Sequence, residues 1–267
     1  MIITYIGLSC FMIENKAGFR VCVDPFNDSP EWALGPRFPK EFKGQPFGAN
    51  IVLSTEPDAD HAYSPGDWLQ HAPETKPNSN PFPGFDLRGT VIYEWNGDLN
   101  IAYSYTIDGI RLTHLADNAH VLTSEQIAEI GTPDILFISP SKPKMEGKED
   151  VTTIENISLL KPKLVVWAHH IAPENLPDSE DPAILRAFFV DYFKTYASIS
   201  KNYEGDRSFM ELCYLLENAI VLNKKYDGVT LKEPSLEITD EFLASGKEKP
   251  KGVLFKRMLA SQNKTYL

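Results

Sequence analysis

Few histidines, few cysteines and a shortage of positive charge bound this sequence. The three cysteines, Cys10, Cys22 and Cys213, are an odd number and show no C-x-x-C spacing. They exclude a disulfide framework and a zinc-ribbon pattern, and read as core thiols in a reducing cytoplasm. Lys and Arg number 26 against 37 Asp and Glu, giving a net charge of -11. A nucleic acid needs clustered cations to replace its counterions, so it is excluded as an expected partner. No apolar run reaches the roughly 18–20 residues of a membrane span, so no membrane partner is expected. The opening "MIITYIGLSCFMIE" lacks a basic n-region and a small-residue cleavage site, and reads as strand; the expected location is cytoplasmic.

The 267 residues, 42% of them hydrophobic, suffice for one large core with an appendage. "IITYIGLSCFMIE" and "FRVCVDPF", joined by "NKAG", are β-rich and predict a hairpin with Cys10 and Cys22 inside. Asn27 to Asn50 and residues 73–89 are Pro-rich and predict loops. "NIVLS" predicts a buried strand. Ser64, Pro65 and Asp67 of "SPGDW" carry a helix-start signature. "GTVIYEW", "NIAYSYTIDG" and "IRLTHLA" predict successive strands, with a hairpin turn at Asp108–Gly109. Thr123 and Gln126 form a capping box, and Gly131 is a helix stop. "DILFISP" and "LVVWAHH" predict buried strands around a helix in "DVTTIENISLLKPK". After Pro173, Ile184, Leu185, Phe188, Phe189, Tyr192, Tyr196 and Ile199 recur at helical spacing. That face is either core or a surface for a lid or a homodimer. "SFMELCYLLENAIVL" reads as helix running into strand, and the tail after Lys224 is charged and weakly patterned. The expected division is a core over 1–175 and a mainly helical extension over 176–267, packed on it.

Only six histidines exist, at 61, 71, 114, 120, 169 and 170. Asp60–His61 follows "IVLS", His114 and Asp117 follow "GIRLT", and His169 follows "LVVWA". Strand ends gather on one edge of a layered α/β fold, so these groups can converge. Mixed imidazole and carboxylate donors suit zinc, iron or manganese. A lone histidine after a strand is more often structural, which is the expectation for His71; His114 and His120 read as structural or as supports of a site.

The chain resembles the metallo-β-lactamase superfamily. Within it, it is most similar to bacterial metal-dependent hydrolases that include ascorbate-6-phosphate lactonase. The resemblance rests on "ITYIGLSCFMIE" with "VDPF", on "ADHAYSPGDW", on "HLADNAHVLTSEQIAEIGTPDILFIS" and on "LKPKLVVWAHH", over roughly residues 1–172. It implies a four-layer αβ/βα sandwich with a metal centre at one edge. The family loop T-H-x-H-x-D-H falls on "TEPDADH", Thr55 to His61. Its Asp–His pair is kept as Asp60–His61, while Glu56 and Asp58 stand in two histidine positions. The bridging Asp falls on Asp117, the last His on His169, and Glu94 stands where a further His belongs. Leu8 replaces the His of "G-H-S-C", and Ala116 and Ala119 replace two glycines.

One metal position thus keeps its ligand types, with zinc implied there. Its neighbour has exchanged imidazole for carboxylate, which suits manganese, magnesium or calcium, or has lost its metal. Residues two apart on an extended loop point the same way, so Glu56, Asp58 and Asp60 are expected to line one side of the cleft. Alternatively, Glu56 and Asp58 face solvent or accept backbone N–H bonds. Two functions follow from the resemblance. One is a hydrolase of a small lactone, ester or phosphorylated sugar-type substrate using a metal-bound water. The other is a non-catalytic binding or regulatory protein that reuses the pocket. A nuclease of the same superfamily conflicts with the acidic charge.

Overall fold

The structure is a computed structural model that describes residues 1–26, 36–38, 48–58, 60–62, 85–94, 97–115, 117–140, 151–197 and 206–262. His71, the helix start at Ser64, and most of both Pro-rich loops lie outside these residues.

Two β-sheets face each other. The first run of sequence folds as two strands, β1 (Ile2–Gly7) and β2 (Cys10–Glu14), rather than one. The break falls at Leu8, whose φ of 54° lies in the left-handed region. With β3 (Arg20–Val23) and β5 (Ile51–Leu53) these strands form most of the first sheet. β3 and β5 run parallel, so both end at the same edge. β4 (Pro36–Arg37) lies apart, paired with β14 (Ser261–Gln262).

The second sheet holds β6 (Arg88–Tyr93), β7 (Leu99–Ile107), β8 (Ile110–His114), β9 (Ile135–Ile138) and β10 (Leu164–Trp167). Asp108 and Gly109, both at positive φ, make the expected turn between β7 and β8. β8, β9 and β10 are parallel. Parallel neighbours need crossovers. α1 (Ser124–Ile130) connects β8 to β9, and α2 (Val151–Leu160) lies between β9 and β10. α1 starts at the expected capping box, Thr123 with Gln126, and stops at Gly131.

Residues after 175 do more than cover these sheets. α3 (Pro182–Ala197) and α4 (Asp206–Lys225) come first. α4 is one continuous helix, not helix running into strand. Its apolar "NAIVL" stays helical because Leu215, Leu216, Ala219 and Ile220 are buried at helical spacing. The weakly patterned tail supplies β11 (Val229–Leu231), β12 (Ser235–Glu237), α5 (Asp240–Ala244) and β13 (Lys251–Phe255). β12 is hydrogen-bonded to β1 in one sheet, while β13 lies between β10 and β11 in the other. β11 and β12 alternate between half-buried and exposed residues, which leaves little hydrophobic signal to read.

On α3, Leu185, Phe189, Tyr192 and Phe193 are buried within the single chain and Phe188 partly so; Tyr196's side chain lies outside the described residues. Asn223 of α4 ties the helix to the second sheet. Its Oδ1 accepts the Trp167 indole N–H at 3.1 Å, and its amide donates to Val229 O at 3.2 Å. A Cβ at Gly252 would sit 2.3 Å from that same Oδ1, so only glycine lets β13 pass.

The space between the sheets is filled by aromatic rings. Phe11 of β2 meets Phe137 of β9 edge-on, with centroids 4.8 Å apart, and Tyr5 meets Phe255 at 5.6 Å. His114 belongs to this core. It stacks on Phe137 at 3.9 Å and bonds Tyr105 Oη at 2.8 Å, and burial pushes its pKa down to about 3. It is a neutral core histidine.

Candidate metal centre

The parallel strands decide where polar side chains gather. Asp24 follows β3, Glu56, Asp60 and His61 follow β5, Asp117 follows β8, and His169 follows β10. All are strand-end residues, and the described ones among them converge on His61 and His169, whose ring centroids lie 5.1 Å apart. His169 Nε2 is 3.2 Å from Asp60 Oδ2, and its Nδ1 contacts Asp117 Oδ1. His61 Nε2 is 2.9 Å from Glu56 Oε1 and 4.0 Å from Asp117 Oδ1. Among the described residues, two sets of donor atoms are close enough to hold an ion: Asp60, His61 and His169, and Glu56, His61 and Asp117.

Asp58 takes a different place. It is exposed and belongs to neither set. The chain turns here instead of staying extended: the N–H groups of His61 and Ala62 both donate to Asp58 O, at 2.9 and 2.7 Å. The bend through residues 55–58, ahead of that turn, breaks the two-residue alternation that would have put Asp58 beside Glu56.

The loop's shape is set by Asp24, a residue the sequence reading left without a role. Its carboxylate accepts the Thr55 N–H at 2.7 Å, the Thr55 hydroxyl at 2.9 Å and the His61 Nδ1–H at 3.0 Å. Nδ1 is thereby committed, and only Nε2 of His61 is free to face the centre. A carboxylate behind a ligating imidazole fixes its tautomer and raises its basicity. The available signal was the "VDP" following a strand, an acid where the apolar pattern stops. Replacing Asp24 by asparagine keeps the shape but weakens the hold on Nδ1. Metal affinity is expected to fall by about 10- to 100-fold, measured by metal titration of the folded variant.

The backbone at the centre is strained. His169, Leu8 and Asp24 have φ of 55°, 54° and 51°, values that cost a non-glycine residue on the order of 1 kcal/mol each. Backbone bonds hold them there, between the two sheets for Leu8 and His169 and within the first sheet for Asp24. Leu8 N–H donates to His170 O at 2.9 Å, His169 N–H to Leu8 O at 3.0 Å, and Asp24 N–H to Leu53 O at 2.8 Å. The Leu8 substitution thus sits against His169 through its backbone, with its side chain fully buried. His170 turns away from the centre: its Nε2 bonds Phe255 O at 2.9 Å.

Electrostatics mark the site as a store of opposed charge. Burial disfavours a charged His169, but Asp117 and Asp60 outweigh it and push its pKa up to about 10. Burial likewise opposes the charge on His61, and Glu56 and Asp24 raise it well above the usual imidazole range. Burial resists ionisation of Glu56, yet the charge of His61 brings it down to about 2. Glu94, buried at the end of β6, goes the other way, up to about 9, through burial and then its hydrogen bond with Glu56. Two carboxyls can bond only if one keeps a proton, and Glu94 is that one. His120, exposed, reaches Glu94 O at 3.0 Å rather than the centre.

A divalent ion fits this donor set. Glu56 Oε2 is buried without an N–H or alcohol partner, and two imidazoles and three carboxylates face one another where protons alone now balance them. A cation relieves both conditions.

The sequence model of the beta-lactamase superfamily domain matches residues 2–169. Among solved structures, a metallo-β-lactamase superfamily protein from Thermotoga maritima is similar over 96% of this chain and 98% of its own, with 20% identity and a TM-score of 0.52. Igni18 from Ignicoccus hospitalis covers 89% of this chain and 99% of its own at 16% identity, with a TM-score of 0.47. No curated protein matches.

Proposed function

Because the chain belongs to the metallo-β-lactamase superfamily, we propose that it is a metal-dependent hydrolase of a small lactone, ester or phosphorylated sugar-type substrate. The observation that carries this reading is the convergence of Asp60, His61 and His169 on one edge, with Asp24 fixing His61 from behind. The Thermotoga maritima relative is described as a candidate zinc-dependent hydrolase, which agrees with it. The acidic charge, unsuited to a polyanionic nucleic acid, agrees with a small-molecule substrate.

His61 and His169, with Asp60 and Asp117, are the residues that would hold the ion. A bound divalent ion supplies Lewis acidity toward a substrate oxygen and acidifies a water to near neutrality. Asp24 orients His61 by accepting from Nδ1, so that Nε2 points inward. Leu8, buried, meets His169 through its backbone carbonyl and so fixes the height at which that imidazole stands.

The test is a panel of lactones, aryl esters and sugar phosphoesters offered to the protein loaded with zinc or manganese. Turnover of at least one class is expected, lost on chelation and restored by metal. Ligand binding without turnover of any class would favour the non-catalytic alternative, a binding protein built on the same pocket.

A further inference from the structure

The two donor sets share one residue, and that residue has one free nitrogen. His61 Nδ1 is engaged by Asp24 Oδ2 and Thr55 Oγ1, both at 3.0 Å, so each set must use Nε2. An imidazole nitrogen carries one lone pair and can serve one ion. Without His61, the first set leaves Asp60 and His169, and the second leaves Glu56 and Asp117. Each pair by itself falls short of the three or four protein donors that structural and catalytic sites use, and only a bridging Asp117, which contacts His169, would bring the first to three.

From this we infer that the chain binds a single divalent ion, and that Glu56 is one of its ligands in the place of an imidazole. The inference rests on the metal-dependent reading above and specifies its centre. Donor spacings support it. At metal–ligand lengths of about 2.1 Å, neighbouring donors of an octahedron lie about 3.0 Å apart and opposite ones about 4.2 Å, whereas tetrahedral donors lie about 3.4 Å apart. Glu56 Oε1 is 2.9 Å from His61 Nε2, Asp60 Oδ2 is 3.2 Å from His169 Nε2, and Asp117 Oδ1 is 4.0 Å from His61 Nε2. The first matches neighbouring octahedral positions, the second lies midway between the octahedral and tetrahedral spacings, and the third matches opposite positions. An ion on Nε2 also lies within reach of Glu56, whose Oε1 already faces that nitrogen and whose other carboxyl neighbour, Glu94, keeps its proton.

The centre is therefore richer in carboxylate than an all-imidazole site, and hard ions such as manganese(II) gain relative to zinc. The experiment is titration of the metal-free protein with manganese(II), followed by the electron paramagnetic resonance of the free ion, with zinc in competition. One ion per chain is expected. Glu56→Gln should weaken manganese binding by about tenfold or more, Glu56→Asp should recover part of it, and Glu56→His should shift the manganese-to-zinc affinity ratio toward zinc. Two ions per wild-type chain, no ion, or an unchanged affinity in Glu56→Gln would overturn the inference. The wild-type stoichiometry decides even if a variant fails to fold. The readout needs no substrate, so it separates from the activity test: chelator-sensitive turnover with two ions bound sinks the single-ion centre and keeps the hydrolase. One Glu56-dependent ion with no turnover does the reverse.

Discussion

His169→Ala is expected to remove the metal and, with it, hydrolysis. The side chain is the donor that follows β10 of the second sheet, and it lies 3.2 Å from Asp60 Oδ2 and in contact with Asp117. Its loss leaves Asp60 and Asp117 as neighbouring carboxylates with no cation between them, so metal-free protein gains nothing in return. Metal content should fall from about one equivalent to a small fraction of it, and kcat/KM by on the order of 10³-fold or more. Elemental analysis alongside a steady-state assay checks both. Retained metal with lost activity would instead give His169 a role toward the substrate. Retained activity with lost metal would remove the metal from the chemistry altogether.

Phe11→Ala carries the largest expected loss of stability. Phe11 is fully buried and is the ring on which the two sheets meet, against Phe137, Tyr5 and Phe255. Deleting it removes apolar burial and leaves a cavity that strands on two sheets cannot close by a rigid shift. The expected cost is about 3–5 kcal/mol, seen as a lower urea midpoint with an unchanged slope. Phe11→Leu, which keeps most of the volume, should cost less than half as much. Equal losses would mean that the ring's contacts matter less than backbone pairing along β2.

Much of this molecule was legible because the signals were local. Apolar runs bounded by turn residues gave the strands from Arg88 to Trp167. Capping chemistry gave α1, and motif order gave Asp60, His61, Asp117 and His169 as a group at strand ends. Each of these depends on residues close in sequence. Three features depended on the tertiary structure. Asp58 turned outward while Glu56 stayed buried, because the backbone bends through 55–58 where the residue pattern allowed an extended path. β11, β12 and β13 were hidden, because short strands from a charged tail show little alternation until two finished sheets offer them edges. Asp24 lies 37 residues from His61 in sequence. Its role as the support of that ring exists only once parallel β3 and β5 end side by side, and hydrogen bonding over that separation leaves no periodic trace in the chain.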